Sequence, residues 1–224
     1  MTQGLFVSGT DTGIGKTCAS AALLHALRAR GLRASGMKPV ASGCHATPGG
    51  LRNEDAECLR AASDPVPAYA DCNPFALADP IAPHVAARLA GVDCDVATVH
   101  AAFRRIAAST DRVVVEGVGG WAVPLSADVM QADLVRALDL PVVLVVGLRL
   151  GCINHALLAA RAIVDDGCVL AGWIANRIDP AMAFAEASLH TLRSRIGAPL
   201  LGVLEHAPAF DARAAADLLD VDAL

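Results

Sequence analysis

Short apolar runs without polar alternation recur along the chain: LFVSG (5–9), ASGMKPV (34–40), RVVVEG (112–117), PVVLVVG (141–147), LAGWIAN (170–176) and PLLGVLE (199–205). A strand exposed on one face alternates apolar with polar residues, whereas a parallel strand covered on both faces does not. These runs therefore predict parallel, doubly covered strands. Between them, helical spacing predicts helices at 16–30, 54–62, 83–90, 95–108, 128–138, 153–165 and 181–196. Gly31 and Gly167 close two of them, Asp93 or Asp95 can cap a third, and Asp179-Pro180 opens the last. Strand–helix alternation predicts an α/β fold, one domain over 1–224, with helices on both faces of a mostly parallel sheet. In such sheets ligands sit at the carboxyl ends of the strands. The stretch 41–80, rich in Gly, Pro, Asp and Cys, breaks the rhythm and predicts a functional loop with a short helix.

Composition narrows the choice of partners. With 224 residues, 54% of them hydrophobic, the chain can bury a sizeable core. Net charge is -5 and no basic run exceeds Arg104-Arg105, which argues against a nucleic-acid or anionic-membrane surface. The longest apolar run, VVLVV at 142–146, is too short to span a bilayer. The chain enters a strand pattern at Leu5 without a basic leader, so no signal peptide is expected. Seven cysteines without a C-x-x-C pair are expected to be reduced thiols, which suits a cytoplasmic protein. Of 18 basic residues only two are lysine, Lys16 and Lys38, and each falls at a strand end. An ammonium whose pKa can be moved is not interchangeable with a guanidinium fork, so these two positions stand out.

The polar clusters fall at predicted strand ends. GTDTGIGKT, residues 9–17, nearly meets the phosphate-loop pattern G-x-x-x-x-G-K-S/T, with Thr10 in place of the first glycine. A glycine-rich turn opening a helix aims backbone N–H groups and the helix dipole at an anion, which predicts a P-loop NTPase-like fold. Lys16 would bridge outer phosphates and Thr17 would ligate Mg²⁺. Lys38-Pro39-Val40-Ala41-Ser42-Gly43 follows the second strand, where Ser42 can hydrogen-bond a ligand oxygen. Asp55 is either a helix cap or a ligand carboxylate. In RVVVEG the apolar run closes on Glu116, as the second metal-holding strand of phosphate-loop enzymes ends in an acid, and Gly117, Gly119 and Gly120 let backbone approach a ligand. Asn176 ends the fifth strand, where an amide can read a base edge; the NRID that starts there also looks like a degraded guanine-reading N-K-x-D.

GTDTGIGKT, KPVASG, LRNEDA, VEGVGGW, LVVGLRLGCINHA and LAGWIAN occur in the order of the dethiobiotin synthetase family, which the chain resembles over residues 5 to about 204. The family's loop has the same extra spacing as Thr10 creates here. The resemblance implies that 7,8-diaminopelargonic acid, CO₂ and ATP give dethiobiotin, ADP and phosphate through a carbamate and a carbamic–phosphoric anhydride. It implies catalytic roles for Lys16, Lys38 and Thr12, with Ser42 at the substrate. ATP would meet Gly13, Ile14, Gly15, Lys16, Thr17 and Cys18 in the loop, then Asp55, the run Glu116, Gly117, Val118 and Gly119, and finally Asn176 and Arg177. Mg²⁺ would be held by Thr17, Asp55 and Glu116. The substrate carboxylate would meet Gly151, Cys152, Ile153 and Asn154 of a second copy, which implies a homodimer with its site at the subunit interface.

The match weakens after the last strand, where Glu205-His206-Ala207-Pro208 replaces the family's usual Pro and bulky residue; His206 is expected to be an ordinary loop histidine. Two rival readings are a partitioning-type ATPase and a nucleotide-gated binding module. The first needs a signature lysine five residues before Lys16, where this chain has Asp11. The second has only NRID in its favour.

Overall fold

The computed structural model describes residues 4–224. Along the chain lie β1 (Gly4–Gly9), α1 (Lys16–Ala29), β2 (Ala34–Met37), β3 (Val40–Ala41), β4 (His45–Thr47), β5 (Gly50–Arg52), α2 (Glu54–Ala62), α3 (Tyr69–Cys72), β6 (Phe75–Ala76) and α4 (Pro83–Ala90). They are followed by α5 (Val96–Ala107), β7 (Arg112–Glu116), α6 (Gln131–Leu138), β8 (Val142–Gly147), α7 (Cys152–Asp165), β9 (Leu170–Asn176), α8 (Ala185–Arg195), β10 (Leu200–Leu204) and α9 (Ala212–Ala216). Six strands form one sheet in the order β10-β9-β8-β1-β7-β2, with every pairing parallel. β1 sits inside it, flanked by strands from much later in the chain. The chain leaves β1 toward β2 on one side and fills the other side last, which puts a crevice at the carboxyl ends beside β1.

Successive strand residues point to opposite faces, and both faces are covered. Val7, Val114, Val143, Val145 and Ile174 pack with α1, α2 and α9. Phe6, Val113, Val115, Leu144 and Trp173 pack with α5, α6, α7 and α8. That is why the strands read as unbroken apolar runs. Each fully buried Leu or Val side chain contributes about 1.5–3 kcal/mol, so the two layers carry most of the sheet's stability. Among the described residues no helix is long and apolar enough to cross a membrane.

Three expected boundaries move. The run 34–40 is two strands: after Met37 the Lys38 N–H donates to the Cys72 carbonyl, and Val40 pairs with Phe75 in a separate small sheet. Pro39 has no N–H to continue the central ladder. The helix expected from 181 begins at Ala185, because Asp179 Oδ1 accepts the Ala181 N–H in a turn and Phe184 takes a left-handed φ of 55°. The helix expected from 128 begins at Gln131, where Asp133 Oδ2 accepts the Met130 N–H at 2.7 Å. The irregular stretch 41–80 contains the β4–β5 hairpin as well as α3.

Candidate active site

The loop between β1 and α1 owes its shape to one apolar anchor and two glycines. Ile14 is buried, and its side chain fills the space above Gly9 and Gly147, where a Cβ on either glycine would stand 2.9 or 2.8 Å away. Gly13 and Gly15 take left-handed φ values of 72° and 81°, conformations that glycine adopts without strain. At Gly15 a Cβ would also stand 2.1 Å from Asn176 Nδ2, which donates to the Ile14 carbonyl at 2.8 Å. The loop is thus locked to the end of β9 and delivers the free N–H groups of α1 into a cavity of about 420 Å³.

Both lysines face that cavity. Lys16 is buried, and its Nζ donates to the Asp11 carbonyl at 2.8 Å. Burial, helped by the charge of Lys38, lowers its pKa to about 8. Lys38 is 3% exposed and lies 2.6 Å from Glu116 Oε1 and 2.9 Å from Asp55 Oδ2; it also donates to the Gly117 carbonyl at 3.1 Å. Burial works against its charge, but the Glu116 and Asp55 carboxylates outweigh burial and hold the ammonium above its ordinary pKa. The same burial would raise Asp55, and Lys38 overrides it so that Asp55 stays below the usual carboxylate range.

Glu116 is 0% exposed at the end of β7. Its Oε1 accepts the Thr17 hydroxyl at 2.9 Å as well as the Lys38 ammonium. Its Oε2 is buried and has no hydrogen-bond donor among the described residues. An unpaired buried carboxylate oxygen is costly, and hard oxygen donors are the set that Mg²⁺ prefers. Thr17, Asp55 and Glu116 therefore fit a magnesium ion.

The cavity brings together most of the residues expected from sequence: Thr12, Gly13, Gly15, Lys16, Thr17, Cys18, Lys38, Ser42, Asp55, Glu116, Val118 and Gly119 line it. Ile14 stands beneath the loop rather than in the wall. Gly117 is wedged behind the wall, where a Cβ would stand 2.6 Å from Gln131 Oε1 and 2.9 Å from Phe6. Asn176 braces the loop from the side, and Arg177 is ion-paired with Glu186 and Glu205. Gly151, Cys152, Ile153 and Asn154 form the start of α7, outside this cavity, with Cys152 buried in the core. Asp11, in the position of the rival signature lysine, is ion-paired with Arg149.

Two contributors escaped the sequence reading. Asn53 lines the cavity and caps α2, its Oδ1 accepting the Ala56 N–H at 3.3 Å. That leaves Asp55, the other capping candidate, free to face Lys38. Gln131 is 1% exposed; its Oε1 accepts the Val118 N–H at 2.9 Å and its Nε2 donates to the Gly120 carbonyl at 2.8 Å. It holds the glycine-rich turn after Glu116 from both sides. A Gln at a helix start carries no such signal in sequence.

The family described as AAA domain matches residues 3–214. An ATP-dependent dethiobiotin synthetase of Xanthomonas euvesicatoria pv. vesicatoria is 60% identical over 211 residues, 94% of each chain. Among solved structures, the septum site-determining protein MinD of Pyrococcus horikoshii superposes with a TM-score of 0.57 at 18% identity, covering 93% of this chain and 83% of that one. Chloroplast FtsY of Physcomitrella patens gives 0.54 at 18% identity; the match covers 97% of this chain and 65% of the FtsY chain. At such identities the two structures speak to the fold alone.

Proposed function

The chain belongs to the ATP-dependent dethiobiotin synthetase family, and from that premise we propose how its residues carry out the reaction. It is an ATP-dependent ligase that makes dethiobiotin in biotin biosynthesis. One amine of 7,8-diaminopelargonic acid adds to CO₂, losing a proton and forming a carbamate. A carbamate oxygen attacks the γ-phosphorus of ATP, and ADP leaves. The second amine then attacks the carbonyl carbon of the anhydride, phosphate departs with its bonding pair, and the ring closes as that nitrogen loses a proton.

Such a sequence asks the protein for placement and neutralisation of charge rather than covalent participation. Lys16, at the start of α1, meets the phosphates together with the loop N–H groups. Lys38, held on the neighbouring segment, faces the carbamate. Thr12 and Ser42 hydrogen-bond the reacting oxygens. Mg²⁺ held by Thr17, Asp55 and Glu116 would neutralise phosphate charge. Asn176 and Arg177 bound the nucleoside side of the loop. Gly151, Cys152, Ile153 and Asn154 of a second copy receive the substrate carboxylate at a helix N-terminus, in a cytoplasmic homodimer.

The observation that carries this reading is the pair of buried lysines in one cavity, one on the phosphate loop and one outside it. A partitioning-type ATPase would carry its second lysine within the loop, where this chain has Asp11. The test is product analysis with ATP, magnesium, diaminopelargonate and isotopically labelled bicarbonate. Label is expected in a cyclic urea, in proportion to the ADP released. ATP turnover indifferent to the diamine would instead favour the partitioning-type or binding-switch readings.

A further inference from the structure

Tyr69 is the sole tyrosine of the chain, and it lies in the irregular stretch between Lys38 and α4. Its hydroxyl accepts the backbone N–H of Asn53 at 2.8 Å and donates to Asn73 Oδ1 at 3.0 Å. Both partners lead to the active site. Asn53 caps the helix that bears Asp55 and lines the cavity itself. Asn73, 2% exposed, donates through Nδ2 to the Lys38 carbonyl at 2.7 Å. The Arg52 guanidinium stacks 4.0 Å from the ring centre and holds the ring's orientation.

The segments joined by this one oxygen are the segments whose side chains meet as the Lys38–Asp55 ion pair, 2.9 Å apart. Lys38 has left the central sheet, so its backbone is held through Cys72 and Asn73 rather than by the strand ladder. Asp55 sits in the first turn of a short helix whose start is held by Asn53. We propose that Tyr69 is a positioning residue: its hydroxyl fixes the spacing between Lys38 and the start of α2, and so the placement of the Lys38 ammonium toward the reacting carbamate. The identity of that reaction rests on the function proposed above; the relay itself does not.

Tyr69→Phe removes the oxygen and keeps the ring and its Arg52 stack. Dethiobiotin turnover is expected to fall about tenfold in kcat, since small misplacement of a reacting group is costly. The KM for ATP should match the wild type, and the thermal midpoint should fall by no more than a few degrees, since the part-buried Asn53 N–H and Asn73 Oδ1 lose their partner. Amide hydrogen exchange should quicken in residues 37–41 and 53–57 while α1 and β8 keep wild-type protection. Asn73→Ala breaks the other arm without adding a charge, and the double variant should lose no more than the worse single variant, because both cut one relay.

Wild-type kcat in Tyr69→Phe would overturn the proposal. So would a larger fall in thermal midpoint with kcat and the ATP KM impaired together, which is general loosening, or losses that add in the double variant. If the wild type itself makes no dethiobiotin, the proposed function fails and exchange decides on the relay. Local loss of protection then upholds it, and unchanged protection at 37–41 and 53–57 overturns it.

Discussion

Gln131 shows how much of the site rests on a residue that touches no reacting atom. Its amide satisfies a donor and an acceptor of the turn that carries Val118 and Gly119 into the cavity wall. Gln131→Leu keeps the volume and leaves the Val118 N–H unpaired. At a part-buried N–H the loss is about 1 kcal/mol, which in a chain of this size is about 2–4 °C in thermal midpoint. That shift, with a parallel fall in turnover, is the expected result; an unchanged midpoint would mean that the turn is held by other contacts. What was legible at this scale was chemistry that residue types announce. Lys16 and Thr17 declare themselves in the loop, Lys38 by its rarity among arginines, and Glu116 by ending a strand. Asn53, Asn73 and Gln131 did not, because their partners are backbone atoms from other segments. Asp55 was ambiguous until Asn53 proved to be the cap.

At the scale of elements, the sheet's entry edge is pinned by Asp111. Its carboxylate accepts from the Arg33 guanidinium and backbone N–H, at 2.8 Å each, just where β2 and β7 begin side by side. The Arg33 side chain and amide hold its pKa down to about 2 from an ordinary 3.8. A depressed carboxylate stabilises the fold fully above its ordinary value and loses that contribution as pH falls toward the folded-state value. Wild-type stability should therefore drop between about pH 4 and pH 2 through this pair, among others. In Asp111→Asn the acid limb of a thermal-midpoint profile should be shallower; an unchanged limb would remove Asp111 from the acid response. All six strands of the main sheet were legible because burial on both faces leaves an unbroken apolar signature. The break after Met37 was not: ASGMKPV is apolar throughout, and only the Lys38–Cys72 backbone bond shows the chain departing. The late start of α8 was hidden for a similar reason, since Phe184 in a left-handed conformation is not suggested by its type.

For the molecule as a whole, an α/β sheet with sites at the strand ends followed from the sequence, but the strand order did not, because apolar runs do not name their neighbours. That order has a consequence for how the protein is made. β1 is synthesised first, yet Gly4 faces Val113 of β7, Phe6 faces Val142 of β8, and Asn176 at the end of β9 steadies the loop that follows β1. Contacts so far apart in sequence form late and slowly. During translation the phosphate loop leaves the ribosome long before Gly147 and Asn176, against which Ile14 and the loop are seated, so the nascent chain should be blind to nucleotide for most of its synthesis. In a series of ribosome-stalled chains, retention on immobilised ATP should begin only after β8 and β9 are outside the exit tunnel. Retention by chains stalled before β7 has emerged would mean that the loop folds on local instruction alone.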